Sequence, residues 1–149
     1  MFKKLRILLT LLLVITLSSC SIAGIGGLPD RDYFHICVRN SSELKVYGIG
    51  LVVNVNEDSK RTTMAQNADN TELDNNYINF AFKDVPTDED YKFSFQVEVK
   101  DENGKKHTVG TMQKLDIESE KVYYFSFDGD SFDDLELKVD PEPTPTANK

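Results

Sequence analysis

Residues 91–100 read YKFSFQVEVK, ten positions in which apolar and polar side chains alternate without a fault. A helix would scatter such a pattern around its circumference, whereas a strand sends successive side chains to opposite faces. The segment therefore fits a strand with one buried and one wet face. Such a strand cannot stand alone. It needs partners at its edges and a second layer over its apolar face.

The rest of the chain supplies candidates for both. Phe34, Ile36 and Val38 share one parity, as do Tyr47, Ile49, Leu51, Val53 and Val55. Ile78, Phe80 and Phe82 form a further set, followed by Tyr123, Phe125 and Phe127, and by Leu135, Leu137 and Val139. Segments Arg61–Gln66 and His107–Ile117 offer two more strands. Between 30 and 140 no apolar stripe of helical period with caps occurs. The pattern predicts an all-β chain: a single antiparallel β-sandwich of about seven or eight strands, immunoglobulin-like or transthyretin-like, without substantial helix.

One turn carries register information. Asp101 to Lys105 (DENGK) separates the alternating strand from the next. A two-residue Asn103-Gly104 turn would set Val97 opposite Gly110 and Phe93 opposite Lys114. A type I turn with Gly104 as a left-handed bulge shifts the pairing by one, setting Val97 against Val109 and Tyr91 against Leu115. Since a one-residue slip turns every side chain over, the bulged hairpin is the expected one, with Asp101 opposite Lys105.

The ends of the chain differ from its body. Lys3, Lys4 and Arg6 precede an apolar run, Ile7 to Leu17, of 11 residues interrupted only by Thr10 and Thr16. That is short of the ~20 residues a membrane span requires, and polar Ser18 and Ser19 follow at once. Leu17-Ser18-Ser19-Cys20 then resembles the lipobox of bacterial lipoproteins: an aliphatic residue, two small residues and a cysteine. The resemblance covers the first 20 residues. It implies a diacylglyceryl group in thioether linkage to Cys20 and cleavage between Ser19 and Cys20. Residues 1–19 would then be a signal peptide, and the protein would be held by lipid on the extracytoplasmic face of a cell membrane or outer membrane.

Residues 20–29 hold three glycines and Pro29, the composition of a flexible tether reaching up to about 30 Å. Residues 30–140 form the expected sandwich domain. Residues 141–149 (PEPTPTANK) alternate proline with polar residues, a Pro/Thr-rich tail expected to be disordered.

Charge narrows the partners. The chain carries 17 basic and 25 acidic side chains, formally −8, with pI near 4.7. A binder of nucleic-acid backbone needs a basic face, so nucleic acid is not an expected partner. Loss of residues 1–19 would take three basic residues and no acidic one, leaving 14 against 25, formally −11. That charge serves solubility and says nothing of fold.

Candidate chemistry is sparse. His35 and His107 are the two histidines, and neither lies in a metal or nucleophile motif. Cys37, the second of two cysteines, reads as a small buried hydrophobe on a strand. Two cysteines cannot build a disulfide-dense scaffold or a four-cysteine zinc site. The acidic loops attract more attention, because calcium takes six to eight oxygen ligands from such segments. Asp128, Asp130, Asp133 and Asp134 cluster in one loop, and Asp84, Asp88, Glu89 and Asp90 in another. The stretch from Asp128 to Phe132 breaks the EF-hand pattern at its fifth position, and the tract Asn54, Asn56, Asp58 has Ser59 where glycine is needed. Solvated turns are the expected reading. Six tyrosines and nine phenylalanines mostly occupy inward parities, and tryptophan is absent.

No catalytic constellation, cofactor or metal site is expected from these residues. The leading expectation is a non-catalytic sandwich displayed on a lipid anchor to bind a protein or envelope component. A module for a small solute, calcium or glycan comes second, and a hydrolytic enzyme third.

Overall fold

In the computed structural model, the residues described are 33–56, 59–83, 92–118 and 120–143. Among them no helix occurs, and none is therefore long and apolar enough to cross a membrane. Eight strands occupy these residues: β1 (Tyr33–Asn40), β2 (Gly48–Val55), β3 (Ser59–Ala65), β4 (Ile78–Lys83), β5 (Phe93–Lys100), β6 (Lys106–Leu115), β7 (Val122–Asp128) and β8 (Glu136–Asp140). They form two four-stranded sheets, ordered β4-β1-β7-β8 and β3-β2-β5-β6.

The alternating segment sits where its pattern requires. β5 lies inside its sheet with Phe93, Phe95, Val97 and Val99 all buried and the intervening residues half-buried. Across from it, Phe34, Ile36 and Val38 of β1 and Phe125 and Phe127 of β7 are buried too. Rings interlock between the layers: Phe95 meets Phe125 at 5.0 Å, and Phe34 meets Phe93 edge-on at 5.2 Å. Such pairs add to the area they bury, because edge-to-face contact suits the ring quadrupoles.

The all-β sandwich is as expected, with one ladder of different sense. β1 and β7 run parallel, His35 opposite Val122 and Asn40 opposite Phe127, while every other ladder among the described residues is antiparallel. No hairpin joins β1 to β7, so nothing local fixes their mutual direction.

The hairpin takes the bulged register. Gly104 has φ 79° and donates to the Asp101 carbonyl at 3.0 Å, and Val97 pairs with Val109. Asp101 organises the turn, its Oδ1 accepting the amides of Asn103 and Lys105 at 2.9 Å each.

Further along, the expected register fails. Leu115 pairs with Phe93, not Tyr91, because the β5–β6 ladder slips between Phe95 and Val97. Tyr91 itself lies outside the described residues. The slip sits at Gly110, whose φ of 54° is one that L side chains resist. Its amide turns out of the ladder to the Leu135 carbonyl at 2.9 Å, and Gln96 Nε2 satisfies its carbonyl at 3.1 Å. The insertion adds two residues, so the inward parity of β6 survives it.

A second departure concerns Val139. It shares the inward parity of Leu137 and pairs with buried Phe125, yet it is 79% exposed. The sheets are drawn together at Gly110 and Leu135, and by Val139 they have parted.

Candidate functional site

Where the sheets part, a cleft of about 400 Å³ opens at the end of β8. Its floor is apolar, made by half-buried Leu115 over the buried rings of Phe95 and Phe125, with Val139 at the mouth. Tyr123 and Tyr124 form one wall, and Lys114 and Glu142 stand at the rim. Both inward and outward residues of β7 take part, because β8 covers β7 only from Asp128 to Tyr124. The cleft thus wraps the uncovered end of a sheet edge. An apolar floor with a few polar groups at this volume suits a side chain or a small ligand.

Much of the wall is already tied down. The Tyr123 hydroxyl donates to the Asp116 carbonyl at 2.7 Å and accepts the Glu118 amide at 2.9 Å. Lys121 pairs with Glu118 and lies 5.2 Å above the Tyr123 ring. Lys114 has no acidic partner among the described residues. Burial raises both tyrosine hydroxyls above their ordinary pKa, so they remain neutral donors at physiological pH.

Beside the cleft, on the outward face of the same sheet, a polar cluster surrounds Asp140. Its Oδ2 receives Tyr77 Oη at 2.6 Å and Arg39 Nε at 3.0 Å, and its Oδ1 receives Ser126 Oγ at 2.7 Å. Burial pushes the Asp140 carboxyl up, but the two hydroxyls and the guanidinium outweigh it and hold the pKa below the ordinary value. Tyr77 moves the other way, to about 12, through burial and then its bond to that carboxylate. The Arg39 guanidinium also lies 5.0 Å above the Tyr77 ring, which meets Tyr124 edge-on at 5.2 Å. No motif or spacing in the sequence marks this cluster. Asp140 alternates with Glu136 and Lys138 as any wet-face residue would, and Tyr77 stands outside the strands.

Cys37 is buried, as expected, although it points outward from β1. Tyr124 lies opposite it in the ladder, and its thiol donates weakly to Asn79 Oδ1 at 3.8 Å. Burial pushes the thiol up to about 11, which leaves it protonated and a poor nucleophile. His35 Nδ1 meets the same Asn79 oxygen at 2.9 Å.

His107 lies on the other sheet. Its Nε2 meets Asp101 Oδ2 at 2.9 Å, and its ring stacks on Phe132 at 4.5 Å. That hydrogen bond is the main reason the Asp101 carboxyl sits below its ordinary pKa. The pair joins the hairpin turn to the β7–β8 loop. A seryl or thiol nucleophile is not part of this group.

The acidic loop is held by its own backbone. Asp128 Oδ1 accepts the Gly129 amide at 3.0 Å and Oδ2 pairs with Lys138 at 3.1 Å, while Asp134 Oδ1 accepts the Ser131 amide at 2.7 Å. Asp130 and Asp133 are exposed. Among the described residues no group of three or more His, Cys, Asp or Glu could hold a metal ion. Because Asp128 and Asp134 are engaged by backbone amides and Lys138, replacing Asp130 and Asp133 with asparagine should leave any response of the melting midpoint to millimolar calcium unchanged; a lost response would restore this loop as a cation site. Asp58, Asp84, Asp88, Glu89 and Asp90 lie outside the described residues, as do Ser19 and Cys20.

No family model and no curated protein matches the chain. Among solved structures, it is similar to a protein from Eubacterium rectale determined by NMR, at 14% identity, covering 76% of this chain and 94% of that one with TM-score 0.42. It is also similar to pneumolysin, at 11% identity, covering 74% of this chain but 24% of that one with TM-score 0.35. Both likenesses are loose, and neither bears on function.

Proposed function

We propose that this protein is a lipid-anchored envelope lipoprotein whose β-sandwich is non-catalytic and binds a protein or envelope component. The reading rests on Leu17-Ser18-Ser19-Cys20 following a basic and then apolar leader, with the glycine-rich stretch to Pro29 between that cysteine and the domain. Two or more acyl chains on Cys20 give stable membrane attachment where a single chain is marginal. Replacing Cys20 with alanine should move the protein, expressed in a bacterium, from the detergent phase to the aqueous phase in a phase-partition assay. Retention in the detergent phase would rule out the anchor. Crosslinking from the folded body in cells, followed by identification of the attached molecule, tests the binding half independently.

The cleft favours a second reading, a module for a small solute. A ligand panel that raises the melting temperature only while the cleft is intact would support it over the first.

A further inference from the structure

We propose that the free edge of β4 pairs with the same edge of a second copy of this chain, joining two β4-β1-β7-β8 sheets into one continuous sheet. This deepens the proposed binding of a protein by naming that protein as the chain itself, and it rests on that reading.

Backbone direction defines what the edge offers. His35 donates to the Lys121 carbonyl at 2.9 Å and Ser41 to the Phe127 carbonyl at 2.9 Å. Odd-numbered residues of β1 therefore direct their main-chain groups to β7, and even-numbered ones to β4. Phe34, Ile36 and Val38 lie opposite Phe82, Phe80 and Ile78, which are thus the β4 residues bonded to β1. Asn79 and Ala81 turn their amides and carbonyls the other way. β4 is the last strand of its sheet on that side, both residues are exposed, and no backbone partner meets them among the described residues. A row of unpaired groups like this is a template for another strand.

The other three edges are guarded, and this one is not. β3 carries Lys60 and, on its inward parity, Arg61. β6 carries Lys106 and Lys114 and turns Gly110 out of its ladder, while β8 carries Glu136, Lys138 and Asp140 and runs into Pro141. Charges, bulges and prolines of this kind keep other strands off. From 78 to 82, β4 reads INFAF, without charge, proline or glycine. That stretch is also self-complementary. Opposed residues of a ladder share a face, so an antiparallel pair centred on Phe80 sets Asn79 against Ala81 of the second copy, and such a pair exchanges both main-chain hydrogen bonds. On the inward face it sets Ile78 against Phe82, both half-buried, so each covers what the other leaves open. An uncharged edge offers nothing to select a foreign segment, whereas copies held by lipid in one membrane meet at high effective concentration. That offsets a contact smaller than the roughly 1,000 Å² of a stable soluble interface.

The test is hydrogen exchange on the full lipidated chain in phosphatidylcholine vesicles, read residue by residue by mass spectrometry at low and high protein-to-lipid ratio. The amides of Asn79 and Ala81 should slow at least about tenfold as the ratio rises, while those of Phe80 and Phe82, already bonded to β1, stay unchanged. Ala81→Pro removes an outward amide that the fold does not use, and should leave Asn79 exchanging fast at every ratio. Ala81→Lys blunts the same edge with the amide kept, and should do likewise. In cells, a photo-reactive amino acid in place of Ala81 should give an adduct with residues 78–82 of a second copy. Exchange indifferent to the ratio, slowing that survives both variants, or an adduct formed with a different protein would each overturn the inference. The last would leave the proposed binding of a protein standing, and none of them touches the Cys20 partition result.

Discussion

Replacing Phe95 with alanine should lower the unfolding free energy by about 3–5 kcal/mol, the usual loss for a fully buried phenylalanine. Phe95 is 0% exposed, lies inside its sheet, and meets Phe125 from the opposite layer at 5.0 Å. Its removal forfeits both the transfer energy of the ring and the contacts of atoms left lining the void. The neighbours cannot collapse far, because Val53 and Gln113 flank it in rigid ladders. Domains of this size have roughly 5–15 kcal/mol of stability, so about a fifth or more would be lost. Denaturant titration reads it as a lower midpoint at unchanged slope. A loss under 1 kcal/mol would mean that the two sheets do not pack as described.

Asp140→Asn should cost about 2 kcal/mol at neutral pH, in the range for hydrogen bonds to a charged group. The change also leaves Arg39 without its carboxylate at 3.0 Å. The pH dependence has a definite sign. Because the folded carboxyl sits below the ordinary 3.8, its contribution is fully present above that value and fades as pH falls through the folded pKa. The stability curves of wild type and variant should therefore lie apart at pH 7 and converge in acid below about pH 3.8. A gap that stays constant through the acid range would show that the charge is not what Asp140 contributes.

The sandwich itself was legible because its information is local. Phe93, Phe95, Val97 and Val99 declare their face by period alone, and Asn103-Gly104 fixes a register within five residues. The slip at Gly110 was not legible. It depends on an amide reaching Leu135, 25 positions away in sequence, and a single glycine in a strand does not announce where its neighbours will go. Val139 misled for the same reason: parity says which way a side chain points, not whether an opposing layer is there to meet it. The cleft is a product of those two features, so no motif could have marked it. The cluster at Asp140 gathers Arg39, Tyr77 and Ser126 from three distant segments, each unremarkable alone.

The parallel pairing of β1 with β7 also constrains the order of events as the chain is made. β1 emerges first among the strands, yet its two neighbours hold Ala81 and Val122 opposite His35. Ile36 and Val38 can pair with β4 once residue 83 is made, but gain their second strand neighbour only when β7 follows. The other sheet is less dependent on the end of the chain, since β2–β3 and β5–β6 close as neighbours and only β2–β5 reaches further. Non-local pairing slows folding. A first strand completed by the seventh leaves the β4-β1-β7-β8 sheet to close last, after its partner sheet has every strand it needs.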